Sequence, residues 1–388
     1  MKAIYRGAML APILSLASFA ACAADVVSLV ELPAPDFAGT AGVSNIAADG
    51  TVVGTGWPDG VVVRWKPGQA AENLGGDTFT LENIMPLISA DGSTIVAGSY
   101  FSPADPNDPD ALPVSQPGIW RGGTTWEAIG GTVLEQATPF AISDNGQFLG
   151  GSGVTTANPP PGTKVYSQAW TWSAAGGQHV LGAVAGYSGT HAWAISDDGR
   201  LAAGYGDNVP DDFTRRGVLW DDGVPVVLTD GEGRPVGQAI SCNSDCSIVV
   251  GAGFTAEGGS NQAWRWTAKT GVQYLGEVPG APEGVTYYAF DTTEDGSKIV
   301  GSYPVFDPAQ GPMNHGFVWT ADGGMVDLVA YLAEHGIDYG ANFNELVIAA
   351  MTRDGRRLLI NGGDENYQRQ RAIVRIDPDA IFANGFEQ

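Results

Sequence analysis

With 388 residues, 44% of them hydrophobic, the chain has ample material for a buried core. Its 55 glycines and 11 tryptophans suggest a turn-rich β protein with aromatic anchors. A formal charge of −24, which no basic cluster offsets, argues against nucleic acid as a partner and fits a solvated surface.

The first element is a targeting segment. Lys2 and Arg6 precede an apolar run, Gly7 to Ala21, that is too short to span a bilayer. Ala21-Cys22-Ala23 fits a small-x-small cleavage site, so residues 1–23 read as a signal peptide. The expected location is exported, periplasmic or extracellular. An outer-membrane lipoprotein lipidated at Cys22 is the weaker alternative, because Phe19 stands where Leu is usual. No later segment is apolar enough to cross a membrane, and a monomer is expected. Removal of Cys22 leaves Cys242 and Cys246, an even pair in an oxidising compartment, hence a disulfide.

One phrase then recurs seven times, about 50 residues apart, close to the period of kelch-type propellers. The copies are VSNIAADGTVVGTG (43–56), PLISADGSTIVAGSY (86–100), PFAISDNGQFLGGSG (139–153) and AWAISDDGRLAAGYG (192–206). GQAISCNSDCSIVVGAG (237–253), YAFDTTEDGSKIVGSY (288–303) and IAAMTRDGRRLLINGG (348–363) complete the series. Asp-Gly or Asn-Gly between apolar runs is a hairpin signal, so each phrase is a pair of strands, A and B. A second hairpin follows, its strand C ending in Trp65, Trp120, Trp172, Trp220, Trp266 or Trp319. An aliphatic residue eight or nine positions later marks strand D.

The A–B and C–D turns are short and nearly fixed in length, whereas the B–C and D–A connections vary. In an antiparallel meander alternate turns share an end, which puts the tight turns on one face and the variable loops on the other. The seventh unit has AIVRI (372–376) as strand C but no clear strand D. SLVELP (28–33) resembles YLGEVP (274–279), a strand D, so the N-terminal strand is expected to complete the last unit and cover its edge. The expected fold is all-β, a seven-bladed β-propeller of four-stranded antiparallel blades over 24–376, with the last blade closed by the N-terminal strand. MVDLVAYLAEHGI (325–337) adds a short helix, about 328–336, before the seventh unit, and 377–388 is a tail.

The phrase A-I-S-x-D-G-x-x-V-x-G, with the block His315-Gly316-Phe317-Val318-Trp319, resembles the bacterial extracellular HAF-repeat proteins. HGIDYG (335–340) looks like the C-terminal unit of that family. The resemblance covers about residues 26–376 and implies an exported, propeller-like protein. It supplies no catalytic residues.

Turn chemistry explains the acid of each Asp-Gly turn. Function is expected on the variable face, because binding residues concentrate on loops held by a rigid scaffold. Its B–C loops include 102–118, 154–168, 207–216 and 304–315. The ligand-binding candidates are Tyr187, His191, Asp211, Asp212, Phe213, Tyr303, Asp307 and His315, where carboxylates beside aromatics suit sugars or a cation. No cofactor or metal site is expected. Calcium is a weak candidate, since DPNDPD (105–110) lacks the central Gly of an EF-type loop. A His191–His315 metal pair would require the fourth and sixth units to converge.

No G-x-S-x-G or H-E-x-x-H motif is present. The reading is a non-catalytic binding or interaction module whose ligand, a glycan, peptide or cell-envelope protein, sits on the B–C and D–A face. The alternative is a secreted carbohydrate-active enzyme, a glycosidase or lyase, using carboxylates at the channel mouth. The hairpin AISCNSDCSIVVG (239–251) aligns by its letters with AISDDGRLAAG. On that alignment it is two residues longer and lacks the turn Gly, and the disulfide fastens it.

Overall fold

The computed structural model describes residues 26–75, 85–102, 114–123, 125–155, 164–208, 212–253, 260–308, 311–339, 345–363 and 369–377. The expected signal peptide (1–23) and the tail beyond 377 lie outside these residues. So do Asp105, Asp108, Asp110 and Asp211.

The strands follow the repeat. After β1 (Val26–Glu31), unit 1 has β2 (Thr40–Ile46), β3 (Val52–Trp57), β4 (Val61–Trp65) and β5 (Ala71–Asn73). Unit 2 has β6 (Leu87–Ile88), β7 (Ile95–Ser102), β8 (Val114–Trp120) and β9 (Glu127–Ala128). Unit 3 has β10 (Gln136–Ile142), β11 (Phe148–Val154), β12 (Gln168–Ser173) and β13 (Gly177–Val180). Unit 4 has β14 (Gly189–Ile195), β15 (Leu201–Asn208), β16 (Asp212–Asp221) and β17 (Val224–Val227). Unit 5 has β18 (Ala239–Cys242), β19 (Ile248–Gly251), β20 (Trp264–Thr267) and β21 (Gly271–Tyr274). Unit 6 has β22 (Tyr288–Thr292), β23 (Lys298–Asp307), β24 (Gly311–Thr320) and β25 (Gly324–Asp327). The helix α1 (Leu328–Glu334) precedes β26 (Glu345–Met351), β27 (Arg357–Gly363) and β28 (Arg369–Asp377) of unit 7.

Units 1 to 5 are separate four-stranded antiparallel sheets in chain order. Units 6 and 7 form one eight-stranded sheet, because a single parallel bridge, His315 to Leu346, links β24 to β26. The strand β1 lies antiparallel along the outer edge of β28, from Val26 opposite Asp377 to Glu31 opposite Ala372. Among the described residues, seven hydrophobic clusters fill the spaces within and between the sheets. One joins Ala41, Val43, Val63 and Trp65 of unit 1 to Ala350, Leu359 and Ile373 of unit 7. Trp65, Trp170, Trp220 and Trp264 are fully buried. Each covers roughly 150 Å² or more, on the order of 4 kcal/mol before entropy is charged against it.

The A–B turns repeat one set of hydrogen bonds. Asp49, Asp91, Asn145, Asp198, Asp245, Asp295 and Asp354 each accept, through Oδ1, the N–H two residues on, at 2.7–3.0 Å. Two residues before the acid, Ser89, Ser143, Ser196, Thr293 and Thr352 accept through their hydroxyls the N–H five residues on. Asn243 does the same with its side-chain carbonyl. This is the physical content of the S-x-D-G phrase. Its hydrogen bonds hold the carboxyls of Asp198, Asp245 and Asp295 below the usual range.

The fifth-unit hairpin corrects the expectation drawn from its letters. Ala239 pairs with Gly251 as Ala192 pairs with Gly204, so the two hairpins have the same length. Asn243 takes the place of Ser196, Cys242 that of Ile195, and Cys246 that of Gly199. Cys246 accordingly has φ 51°, where the other six turns have Gly. The shared AIS had shifted the alignment by two. The Cys242 and Cys246 sulfurs are bonded.

The helix is capped by Asp327, whose carboxylate accepts from Val329 N and Ala330 N. It ends at Gly336, φ 75°, with the Ile337 N–H returning to Leu332 O. Leu328 and Leu332 are its buried residues.

Candidate functional site

Six of the innermost strands carry the same irregularity. Their register shifts between Val43 and Asn45, Pro139 and Ala141, Ala192 and Ala194, Ala239 and Ser241, Ala289 and Asp291, and Ile348 and Ala350. A β-bulge sets two residues of one strand against one of the next and re-aims a side chain. The residues passed over are Ser44, Phe140, Trp193, Ile240, Phe290 and Ala349, and all six line one cavity of about 540 Å³. Every innermost strand, β2, β6, β10, β14, β18, β22 and β26, contributes to its wall.

The bulges also explain a Gly that recurs on the facing strand of five units. At Gly54, Gly151, Gly204, Gly251 and Gly301 a Cβ would overlap the carbonyl oxygen of Gly42, Thr138, His191, Gln238 or Tyr288 on the bulged strand. Unit 7 has Ile360 at that register, opposite Ile348, followed by Asn361. The Asn361 side chain bonds across to unit 1, accepting from Val43 N at 3.2 Å and donating to Val43 O at 2.9 Å.

Toward the variable loops the cavity is aromatic. Phe140 and Trp193 stack with ring centres 5.3 Å apart. Phe290 stacks on Tyr288, and Met85 is 45% exposed. The Trp193 indole nitrogen is buried and has no hydrogen-bond partner among the described residues. Behind Trp193, the Tyr205 ring lies tilted to the indole at 5.9 Å, stacks on His191 at 4.6 Å, and has the Arg215 guanidinium over it at 4.8 Å.

The tight-turn end has the opposite character. The residue after the Ser position passes a hydrogen bond to its counterpart in the next unit: Ala48 N to Ala90 O, Ala90 N to Asp144 O, Asp197 N to Ser244 O and Glu294 N to Arg353 O. Side chains serve the other three seams. Asn145 donates to Asp197 O, Asn243 donates to Glu294 O, and Arg357 Nη1 donates to Ala48 O. Within this relay Arg353 reaches across the cavity. Its Nε is 2.9 Å from Asp144 Oδ2, and its Nη1 is 2.8 Å from Asp291 Oδ1. Asp291 also accepts from Met351 N, Thr292 N and Ser241 Oγ. Burial pushes the Asp291 carboxyl up, against the pull of Arg353 and those N–H groups. Burial and the neighbouring Asp144 raise Asp197.

The predicted residues fall into two separate groups at the variable-loop side. In unit 4, His191 Nε2 is 3.3 Å from Asp207 Oδ2, and the Tyr187 ring covers Gly206. In unit 6, the Tyr303 hydroxyl donates to Asp327 Oδ2 at 2.8 Å, and His315 Nδ1 is 3.5 Å from the same oxygen. Burial, then the bond to Asp327, raises Tyr303. Burial pushes Asp327 up, but the bonds from His315, Tyr303 and Ala330 N hold it below its ordinary value. Tyr303 and the two histidines are thus anchored within their own units. Among the described residues no three His, Cys, Asp or Glu side chains form a group suited to a metal ion.

Asp212, Phe213 and Asp307 do not lie on loops. Asp212 and Phe213 open β16, and Asp307 ends β23. The expected loops 207–216 and 304–315 are mostly extensions of strands B and C, with Asn208 opposite Asp212 and Asp307 opposite Gly311. Sequence reading missed Phe140, Trp193, Phe290, Asp144, Asp291 and Arg353. The available signal was their place in the phrase: the first three each stand directly before the Ala or Asp two positions ahead of the Ser or Thr.

Four-stranded antiparallel sheets set side by side, with the first strand of each facing one cavity, define a β-propeller protein. Solved structures share the fold. A chain of the mitotic checkpoint complex matches with TM-score 0.50 and 15% identity, over 97% of this chain and 99% of that one. A prolyl endopeptidase structure matches with TM-score 0.51 and 10% identity, over 92% of this chain and 50% of that one. The acylaminoacyl peptidase of Pyrococcus horikoshii matches with TM-score 0.52 and 12% identity, over 88% and 53%. The chain therefore spans about half the length of the two peptidases. No protein-family model and no curated protein matches it.

Proposed function

We propose that this chain is an exported seven-bladed propeller of HAF-repeat type, closed by β1, that acts as a binding module with its ligand at the variable-loop end of the axial cavity. The bulges carry this reading: one backbone device, used six times, turns a different side chain into one space. Support for closure comes from the β1–β28 pairing, the core shared by units 1 and 7, and a hydrogen-bond relay that crosses all seven seams.

The ligand is a glycan or a peptide presented by an envelope partner. Phe140, Trp193 and Phe290 offer flat apolar faces on which a sugar ring or an apolar side chain can lie. Binding is preferred to glycoside cleavage because Asp291, the carboxylate among the described lining residues, is already occupied by Arg353 and two backbone N–H groups.

The test is a fluorescence and thermal-shift titration of the secreted protein against glycan and peptide panels, with Trp193→Ala and Phe140→Ala alongside. Saturable binding that weakens at least about tenfold in both variants is expected. A ligand held equally well by both variants would move the site elsewhere on the propeller.

A further inference from the structure

Unit 7 carries an arginine density that the total charge hides. Six of the 19 basic residues fall between Arg353 and Arg375. Three of them, Arg357, Arg371 and Arg375, reach no carboxylate among the described residues, and each has a buried Nε with no acceptor. No other described arginine leaves a buried nitrogen in that condition.

Arg371 is accommodated without an anion. It is 7% exposed, donates to Ala41 O of unit 1 at 3.1 Å, and lies 5.8 Å from the Trp65 ring centre. Burial lowers its pKa.

Arg357 and Arg375 are different. They are register partners on β27 and β28, so their side chains leave the same face about 5 Å apart at Cβ. Like charges so placed repel unless something negative lies between them. Arg357 spends Nη1 on Ala48 O of unit 1, at 2.8 Å, and the Arg375 side chain makes no hydrogen bond among the described residues. Unit 1 leaves room beside them, because Gly50 has no Cβ where one would stand 3.3 Å from Arg357 Nε. Among the described residues neither has an ion-pair partner: the Asp354 carboxylate acts on Arg357 only through space, its Oδ1 accepting from the Thr352 hydroxyl and the Arg356 N–H. Two half-buried guanidinium forks on one face, with unspent donors, match the oxygens of a tetrahedral oxyanion.

We propose that Arg357 and Arg375 form a binding site for a sulfate or phosphate group at the seam between units 7 and 1. The site is independent of the axial cavity and its ligand. An anion there bridges the two arginines beside unit 1, so its binding reports on the integrity of that seam.

The experiment is calorimetric and thermal-shift titration of the full chain with sodium sulfate and sodium phosphate, with chloride adjusted to constant ionic strength. One saturable site is expected. Arg357→Gln and Arg375→Gln each weaken it at least about tenfold, and Arg375→Lys, which keeps the charge without the fork, weakens it about threefold. Arg356→Gln, an exposed charge on the same hairpin, changes it by less than about twofold. A sulfated monosaccharide titrated in parallel separates the sources: tighter binding than sulfate assigns the site to a glycan ester, and equal binding assigns it to the free ion. Absence of saturable sulfate and phosphate binding by the unmodified chain overturns the proposal, whatever the variants do. Equal binding by Arg375→Lys and Arg375→Gln with no loss from the unmodified chain overturns it as well.

Discussion

The two ends of the axial cavity are made from the same seven strands and obey different rules. At the tight-turn end the same positions hold Ser or Thr, Asp and Gly in unit after unit, and their polar groups bond to backbone. At the variable-loop end, a few residues back along the same strands, the equivalent position is Ser, Phe, Trp, Ile, Phe or Ala, and a buried indole N–H has no partner among the described residues. Repetition marks the end that holds the units together. Variation marks the end free to recognise something.

Five substitutions or conditions bear on that contrast. Arg353→Met should cost most, about 3 kcal/mol, because it leaves Asp144 and Asp291 facing one another without their shared cation. Urea denaturation measures this, and Arg353→Lys should recover part of the loss. Gly204→Ala should cost about 2–3 kcal/mol by the same assay, since its Cβ meets the His191 carbonyl and backbone must move. A loss under about 0.5 kcal/mol would mean that the bulge is not rigid.

Cys242→Ser with Cys246→Ser should cost about 2 kcal/mol, the loop-closure entropy of so short a span. Cys242→Ile with Cys246→Gly restores the pattern of unit 4 and should return most of that stability. Trp193→Ala should lower stability by only about 1 kcal/mol, since the ring is partly exposed, while removing ligand binding. Comparable stability losses at Trp193 and Arg353 would erase the distinction between the two ends.

The smallest effect is acid lability of the turns. Asp198, Asp245 and Asp295 have folded pKa values below their unfolded ones, so they bind fewer protons folded than unfolded. Their contribution is fully present above the ordinary carboxylate range and is lost as pH falls through their folded values. Asp198→Asn should shift the acid midpoint slightly toward neutrality, which near-ultraviolet dichroism across an acid titration resolves.

The sequence made the turn end legible because its chemistry is local. Asp-Gly, the Ser two residues earlier and the closing Gly all act within a dozen residues, and even the pairing of β1 with the last unit could be read from the likeness of SLVELP to YLGEVP. The cavity was not legible in that way. A bulge breaks the two-residue alternation on which strand faces are assigned, so Phe140, Trp193 and Phe290 gave no sign of which way they pointed. Arg353 was hidden because its partner Asp144 is 209 residues away. The carboxylates that face His191 and His315, Asp207 and Asp327, emerge only when neighbouring strands and the helix cap are brought together. The cysteine hairpin misled through three coincident letters.

The pairing of β1 with β28 also sets a timetable. Val26–Glu31 is synthesised before the strands of units 1 to 6, and its partner strand after them. Until then β1 has an open edge, and six units can form without it. The last sheet is therefore the step at which two strands separated by all the other units must meet. A chain truncated anywhere before Arg369 would carry a sticky strand at its front for the rest of its life.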